Sequence, residues 1–460
     1  MSKQDKKELR QQIACEWLEE NYLQFGDLRH DVVTDRLQIR VADLHSLEDA
    51  SLQNAPEGLQ FRGKENWRNL TDKDINTMVC QCVAEKGVNI STNEMWTALK
   101  SDLVPAVHPL RAWLDGLRPY TADQPDWIDM VAQQVTVLPS PLNNSLENAA
   151  SGYSLRAPHN ATSVIGDPAE FKGEELWRAC FKKWFVAMVA SWMKDEVVNH
   201  TVLVLVGRQG IFKTTWLDNL IPPELRAYSS KLPLSGQISK DDRLRLCENG
   251  MLNIDELDAM CGREMNIVKS LLTSTDVNER AAYGRLKERR VRLASFCAST
   301  NKREFLTDIT GNRRWLPFEV ESIQNPFHTI IPYERLYAQA KAYVECGYFA
   351  YWFDLDEMEV LEQHNEGFRA QENEEQLLPI LFDVPAEGKG EFMTTAQISE
   401  RLVTYGNIKK PMALNRLGML LGTVGYSKVN RRIGGCKTRG WLVYQRDTDE
   451  INSLKKLLVK

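Results

Sequence analysis

The sequence predicts a mixed α/β fold with a mainly parallel central sheet. Between residues 201 and 320, short apolar runs alternate with stretches of helical periodicity, the pattern of parallel strands joined by helices. One such run, residues 201–206 (TVLVLV), leads into a glycine-containing loop and then a helix. Near the C-terminus, two helical segments are followed by two strands joined by a glycine-rich turn, an order that favours a winged-helix-like domain.

Composition is that of a globular protein. The chain has 460 residues, of which 43% are hydrophobic and 26% charged, with a mean hydropathy of −0.39. The longest apolar run, Trp184 to Ala190, is far shorter than the roughly 20 residues that cross a bilayer. The N-terminus has charges but no apolar segment after them, so we expect a cytoplasmic protein without membrane contact. The nine cysteines lack paired zinc-ligand spacings and are expected to be buried thiols.

Changes in composition predict five segments, and charge is distributed unevenly among them. They are a mostly helical N-terminal domain (1–138), a linker (139–166), the α/β core (167–325), a helical acidic connector (326–391) and a basic winged-helix-like domain (392–460). Within the last segment, residues 401–446 hold ten basic residues and no acidic one, although the whole chain carries a net charge of −6. The C-terminal segment is therefore a candidate for binding a polyanion.

The loop after the strand at 201–206 has the composition of a phosphate-binding loop. Its sequence, GRQGIFKTT over residues 207–215, places a lysine and a threonine at the start of a helix. In such a loop the backbone N–H groups surround the phosphates, a lysine reaches the β and γ positions and a hydroxyl ligates Mg²⁺. We therefore assign ATP binding to Gly207, Gly210, Lys213, Thr214 and Thr215, and Mg²⁺ ligation to the hydroxyl of Thr214.

One position departs from the usual pattern G-x-x-x-x-G-K-[ST]. Phe212 stands where the second glycine is normally found. If that position requires a positive φ, phenylalanine is costly there. Two alternatives follow: the loop takes an altered course, or it relies on Gly210 for the close approach.

Three later segments supply the remaining groups that ATP hydrolysis requires. Asp255 and Glu256 follow an apolar strand, where the first can complete the Mg²⁺ shell and the second can polarise the attacking water. Asn301 follows another strand and can act as a polar sensor of the γ-phosphate. Arg313 and Arg314 are candidates for an arginine finger that reaches a neighbouring subunit, the alternative being a surface ion pair.

The ordered set GRQGIFKTT, LNIDELD, VKSLLTSTDVNERAAYGR, ASTN and FLTDITGNRRWLPFEV resembles the virulence-associated protein E family over about residues 60–325. This resemblance implies a superfamily-3-like AAA+ ATPase encoded on phages, genomic islands or other mobile elements. It also implies a ring helicase or origin-melting motor that uses ATP and Mg²⁺. Because a finger acts across a subunit boundary, we expect a homo-oligomer, a hexamer by prediction, and any primase would be a separate chain.

Two basic regions could contact DNA. Residues 280–292 include six basic residues just before the strand that leads to Asn301. In the helicases that the chain resembles, a hairpin at this place grips the DNA backbone, which assigns Lys287, Arg289 and Arg290 to DNA. The second region is the C-terminal hairpin, represented by Lys428, Arg431 and Arg432. Alternatively, several arginines of the first region, such as Arg280 and Arg285, face ATP or a neighbouring subunit. A further alternative is that both basic clusters are solvated or packed against the acidic connector.

The sequence thus favours an ATP- and Mg²⁺-dependent DNA helicase or replication-initiator ATPase of a mobile element. Within that class, an origin-remodelling ATPase without processive unwinding is the nearest alternative. From a different class comes a DNA-binding regulatory or defence protein that uses nucleotide as a switch and hydrolyses it weakly.

Overall fold

A computed structural model describes residues 3–41, 66–139, 173–232, 239–254, 257, 262–279, 288–306, 312–370, 373–385, 390–409, 411–434 and 436–451. The chain divides into two compact units, residues 1–303 with 313–364, and residues 304–312 with 365–460. Both units combine helices and strands, which confirms the predicted α/β class. Within the described ranges, no helix has the length and apolarity needed to cross a membrane. The five boundaries inferred from composition stay predictions.

The first unit begins with three helices packed beside a small sheet. The helices are α1 (Lys3–Asn21), α2 (Asp72–Lys86) and α3 (Thr92–Leu99). The strands are β1 (Leu28–Asp31), β2 (Arg36–Val41), β3 (Asn66–Asn69) and β4 (Ala106–Val107), in the spatial order β3-β2-β1-β4. The region predicted to be mostly helical therefore also holds a sheet. The sequence did not indicate it because these strands are short and rich in polar residues.

A long helix forms the centre of the first unit. Two short helices, α4 (Pro109–Asp115) and α5 (Trp127–Ala132), precede α6 (Gly173–Met193) along the chain. The sequence predicts an amphipathic helix at α6, and the structure buries it on nearly every side. Trp177, Trp184 and Trp192 are buried, and their indole N–H groups donate to main-chain oxygens at 2.9 to 3.1 Å. Because two of these oxygens belong to Phe296 and Gly250, α6 is fastened to the central sheet and its connections.

Six strands form the central sheet. The strands of this part of the chain are β5 (Val135–Val137), β6 (Val202–Val206), β7 (Ser229–Lys231), β8 (Met251–Ile254), β9 (Asp276–Glu279), β10 (Glu288–Val291), β11 (Ser295–Thr300) and β12 (Trp315–Ile323). The sheet has the order β5-β12-β6-β11-β8-β7, and all neighbours except β5 and β12 run parallel. The carboxyl ends of five parallel strands therefore meet at one edge, where open α/β sheets bind their ligands.

Three of the described helices connect these strands, and two more follow β12. They are α7 (Lys213–Asp218), α8 (Lys240–Glu248), α9 (Gly262–Thr273), α10 (Tyr333–Cys346) and α11 (Leu355–Glu366), with 3-10 turns at Pro223–Tyr228 and Asn312–Arg314. Strands β9 and β10 pair antiparallel as a separate two-stranded hairpin. A buried ion pair of 2.6 Å joins Lys183 of α6 to Glu357 of α11.

The second unit packs three helices against a small antiparallel sheet. Its elements are α12 (Asn373–Leu381), β13 (Phe382–Asp383), β14 (Glu391–Met393), α13 (Thr395–Gly406), α14 (Leu414–Val424), β15 (Ser427–Ile433) and β16 (Cys436–Gln445). Strand β16 pairs with both β14 and β15. Trp441 of β16 is buried and faces Gly418 and Gly422 of α14, where a Cβ would lie 4.0 and 3.8 Å from its ring, an ordinary van der Waals distance. The two helices and two strands expected from the C-terminal sequence are present.

Candidate functional site

A six-residue loop, 207–212, joins the carboxyl end of β6 to α7. All five residues of β6 are buried between β11 and β12. The N–H of Gly207 donates to the carbonyl oxygen of Thr300 at 3.1 Å, which anchors the loop to the end of β11. A Cβ atom on Gly207 would lie 2.9 Å from the carbonyl oxygen of Val320, so glycine is required for this close approach.

The backbone of the loop turns left-handed twice. Gly210 has a φ of +86° and Phe212 a φ of +66°. The position usually taken by a second glycine therefore does adopt a positive φ in this chain, and the loop does not avoid it by an altered course. For a residue with a Cβ, this conformation costs about 1–2 kcal/mol. Phe212 bears that cost at the residue just before α7.

Lys213, the first residue of α7, is held inside the loop. It is only 7% exposed. Its Nζ donates to the carbonyl oxygens of Gly207 at 2.7 Å and Arg208 at 2.8 Å, and to Oδ1 of Asn301 at 3.0 Å. The structure thus brings together two residues that the sequence assigned to one site from positions 88 apart. A cation held by neutral oxygens can exchange some of them for phosphate oxygens.

Hydroxyl groups lie beside this lysine. The hydroxyl of Thr214 is 2.9 Å from the hydroxyl of Ser299, the residue before the end of β11. Nothing in the sequence marks Ser299 as functional, because it belongs to an unbroken buried run in which no alternation distinguishes one side chain. Thr215 is half-buried on α7.

The two carboxylates assigned to catalysis, Asp255 and Glu256, lie outside the described residues. Strand β8, which precedes them directly, ends at Ile254 and runs parallel to β11. The chain therefore leaves β8 at the same edge of the sheet as the loop and Asn301.

The two candidate finger arginines lie at the opposite edge of the sheet. They precede Trp315, which pairs with Val202 at the amino end of β6. The loop follows Val206, four residues further, so the strand alone separates the two places by about 13 Å. Arg313 is exposed and Arg314 half-buried. Burial and the nearby charge of Arg314 lower the pKa of Lys269 on α9, which places a third cation at this edge.

The predicted DNA hairpin is represented by its paired stem, β9 and β10, and Lys287 lies outside the described residues. Arg289 is 75% exposed, and its Nε donates to Asp276 across the stem at 2.9 Å. Arg290 is only 14% exposed, is 3.2 Å from Glu248 and donates to the carbonyl oxygen of Val33. Arg289 thus faces solvent, whereas Arg290 is engaged within the protein.

Arg292, one of the six basic residues of this stretch, is fully buried. Its guanidinium donates to five main-chain oxygens at 2.7 to 3.3 Å and stacks over the ring of Phe296 at 4.9 Å. The oxygens belong to Asn199, Leu271, Leu272, Ser274 and Ala294. Burial lowers the pKa of Arg292 to about 9, so the side chain remains charged at neutral pH. It fastens the end of α9 to the start of β11 and does not belong to a DNA surface.

The C-terminal hairpin presents its basic side chains to solvent. Lys428, Arg431 and Arg432 of β15 are exposed. Lys428 lies over the ring of Trp441 at 5.4 Å, and Arg431 lies over the ring of Phe392 at 5.4 Å. Because side chains alternate along a strand, Arg431 lies on the opposite face from Lys428 and Arg432.

Several carboxylates of the acidic connector are engaged within their own unit. Glu357 pairs with Lys183. Glu375 pairs with Arg369 at 2.7 Å, and Glu374 is buried. These three groups are not available to a basic cluster, whereas other acidic residues of the connector, among them Asp356, Glu359 and Glu362, are exposed.

A model of the virulence-associated protein E-like domain matches residues 158–370. Over these residues the chain is similar to the virulence-associated protein E family. The matched range contains α6, the loop 207–212, Asn301 and the candidate finger arginines. The resemblance stated from the sequence motifs is thereby confirmed, although its expected start near residue 60 lies outside the match, which begins at residue 158. The second unit lies almost entirely beyond the match.

No curated protein matches the chain. Among solved structures, the similar ones include three of the C-terminal region of NrS-1, each 9% identical to this chain. An apo structure of residues 305–718 has a TM-score of 0.41 and covers 92% of this chain and 97% of its own. Two A-form apo structures have TM-scores of 0.42 and 0.38, covering 92% of this chain and 98% of theirs. Scores below 0.5 at this identity do not establish a shared fold.

Proposed function

We propose that this chain is an ATP- and Mg²⁺-dependent ATPase that acts on DNA during replication of a mobile element, as a helicase or an initiator. The observation that carries the proposal is the position of Lys213. Its ammonium is buried in a glycine-containing loop at the carboxyl edge of a parallel sheet, within 3.0 Å of Asn301. A lysine, a polar sensor and loop amides at one edge form the surroundings that bind and monitor a triphosphate.

Each residue of the proposed ATP site would have its own role. Lys213 would exchange a carbonyl oxygen for a phosphate oxygen, and Asn301, released from Lys213, would orient the attacking water. The adjacent hydroxyls of Thr214 and Ser299 are hard oxygen donors of the kind that Mg²⁺ prefers, so these residues fit that ion. Bound Mg²⁺ would neutralise charge on the phosphates. By sequence position, Asp255 would complete its ligands, and Glu256 would take a proton from water.

Arg313 and Arg314 would act on the site of a neighbouring subunit. They lie at the edge of the sheet opposite their own loop, and Arg313 is exposed. A guanidinium at that edge serves a phosphate only when another copy of the chain presents one to it. This arrangement supports a ring of subunits. We predict that the ring has six of them.

DNA would contact the molecule at two places with different roles. Arg289 and the segment that includes Lys287 belong to the first unit, next to β11 and its sensor Asn301. DNA bound by these residues can therefore move with the cycle of ATP hydrolysis. The basic hairpin of the second unit, with α13 and α14, resembles a winged helix and would hold duplex DNA by its phosphates.

Two variants test the proposal directly. Lys213→Ala should lower ATP affinity by about 30-fold or more, because a charge-assisted hydrogen bond to phosphate is lost. Glu256→Gln should bind ATP normally and lose hydrolysis. The readouts are equilibrium binding of a fluorescent ATP analogue and steady-state ATPase activity with and without single-stranded DNA. A wild-type chain that binds ATP but does not turn it over, even with DNA, would favour the nucleotide-switched regulator instead.

A further inference from the structure

An exposed aromatic ring stands beside the loop at the carboxyl edge of the sheet. Phe327 is 76% exposed, so most of its ring lies in water. It meets the ring of Phe212 edge to face, with centroids 6.2 Å apart and planes at 83°. Phe212 directly precedes Lys213, so this aromatic pair adjoins the group proposed to hold phosphate.

The backbone around Phe327 is ordered by its own hydrogen bonds. The segment follows β12, whose end at Ile323 lies beyond the residue paired with Val206. The N–H of Phe327 donates to Oδ1 of Asn325 at 3.0 Å, and the N–H groups of His328 and Thr329 lie 3.0 Å from the carbonyl oxygen of Asn325. A formed turn therefore presents the ring, which could not be expected from the sequence because the segment carries no motif.

We propose that Phe327, supported by Phe212, is the platform on which the base of the bound nucleotide stacks. This inference rests on the proposed function, since the loop must hold the phosphates for the base to reach the ring. The ligand class is a purine nucleoside triphosphate or diphosphate, because the larger purine covers more of an aromatic face. Stacking does not depend on the hydrogen-bonding groups at the edges of the base, so ATP and GTP should bind with similar affinity.

The platform also accounts for the residue at position 212. A glycine would adopt a positive φ without strain but would leave Phe327 without a partner. Phenylalanine at 212 places a ring beside Phe327. The strained backbone and the exposed ring are then two parts of one binding feature.

The test distinguishes the contribution of the base to binding affinity from that of the phosphates. It uses two ligands, ATP and inorganic tripolyphosphate, both with Mg²⁺. Phe327→Ala in the full chain should weaken ATP binding by about 10-fold or more and leave tripolyphosphate binding unchanged. Phe327→Trp should retain ATP affinity because it restores a stacking face. Tyr348→Ala is the matched control, since it removes another aromatic ring of the first unit, 79% exposed, and should affect neither ligand.

Isothermal titration calorimetry gives both affinities. If Phe327→Ala binds ATP as tightly as the wild type, or loses both ligands equally, the platform is overturned while ATP binding by Lys213 stands. If the wild-type chain binds neither ligand, the proposed function fails, and the platform fails with it. A loss confined to ATP and reversed by Phe327→Trp supports the platform.

Discussion

The side chain of Lys213 donates a 3.0 Å hydrogen bond to Oδ1 of Asn301 across two neighbouring parallel strands. Lys213 follows the loop after β6, and Asn301 follows β11, so the bond depends on the pairing of these strands in register from Val202 to Val206. Any ligand that draws the ammonium away also frees the amide. The two residues can therefore respond together to a phosphate.

Changing Asn301 tests that coupling. Asn301→Asp places a carboxylate beside the ammonium, which strengthens its hold on Lys213 and repels phosphate, so ATP affinity should fall about 10-fold or more. Asn301→Ala should bind ATP nearly normally but hydrolyse it slowly. Nucleotide titration and steady-state ATPase rates give both quantities. Equal affinity of the aspartate and alanine variants would contradict the coupling.

The left-handed backbone at Phe212 predicts an unusual order of stability. Phe212→Ala and Phe212→Gly both lose the ring, but only glycine escapes the strain, so the glycine variant should be more stable by about 1 kcal/mol. Urea unfolding measures the difference. Ile211 is the matched position, because its φ is not positive. There, alanine should be more stable than glycine, and the same order at position 212 would argue against strain.

If the subunits form the proposed ring, two inactive variants should complement each other when they are mixed. Glu256→Gln subunits lack the group that activates water, and Arg313→Ala/Arg314→Ala subunits lack the finger. An equal mixture should recover roughly a quarter of the sites, those with an intact glutamate facing an intact finger. ATPase assays of the mixture measure this. Mixing Glu256→Gln with the triple variant that combines all three changes is the control and should stay inactive. No recovery in the first mixture would rule out a shared site.

Two adjacent arginines of β15 allow a matched test of DNA binding. Arg432 pairs with Lys437, and Lys428 pairs with Trp441, so these side chains lie on the face that packs on α14. Arg431 lies on the other face, over Phe392. As the recognition helix of a winged helix, α14 would bring its own face of the hairpin to the phosphates. Arg432→Ala should therefore weaken duplex binding and reduce the slope of log affinity against log salt by about 0.9, whereas Arg431→Ala, although assigned to DNA from the sequence, should leave the slope unchanged. Fluorescence anisotropy at several salt concentrations decides between the two faces.

A buried histidine predicts acid sensitivity of the first unit. His364 is 2% exposed, with Nε2 2.6 Å from the carbonyl oxygen of Pro317, and burial lowers its pKa to about 4. In the unfolded chain its pKa is near 6.5, so the unfolded state binds the proton first as pH falls. The free energy of unfolding should drop by about 3 kcal/mol between pH 6.5 and 4 from this group. His364→Gln removes the proton site, so urea unfolding across this range should show a smaller decline than in the wild type.

The sequence predicted those parts of the molecule that local pattern encodes. Helix α6 follows from its periodic tryptophans, and the loop at 207–212 follows from a strand, two glycines and a lysine in order. Asn301, predicted as a sensor, lies beside Lys213 because strand ends in a parallel sheet share an edge, and its role as a sensor stays a prediction. Arg290 and Arg292 show the limit, since a basic run looks the same whether its side chains face water or main-chain oxygens. Phe327 was missed because its role depends on a ring more than one hundred residues earlier in the chain.

The hydrogen bonds of Arg292 determine which amino-acid substitutions around it the protein can tolerate. Its guanidinium bonds only to main-chain oxygens, which every amino acid carries. The side chains at Asn199, Leu271 or Ala294 can therefore change without removing an acceptor, whereas no substitution at those places can compensate for the loss of the arginine. In a genetic screen, lesions at position 292 should have no suppressors among its contact residues.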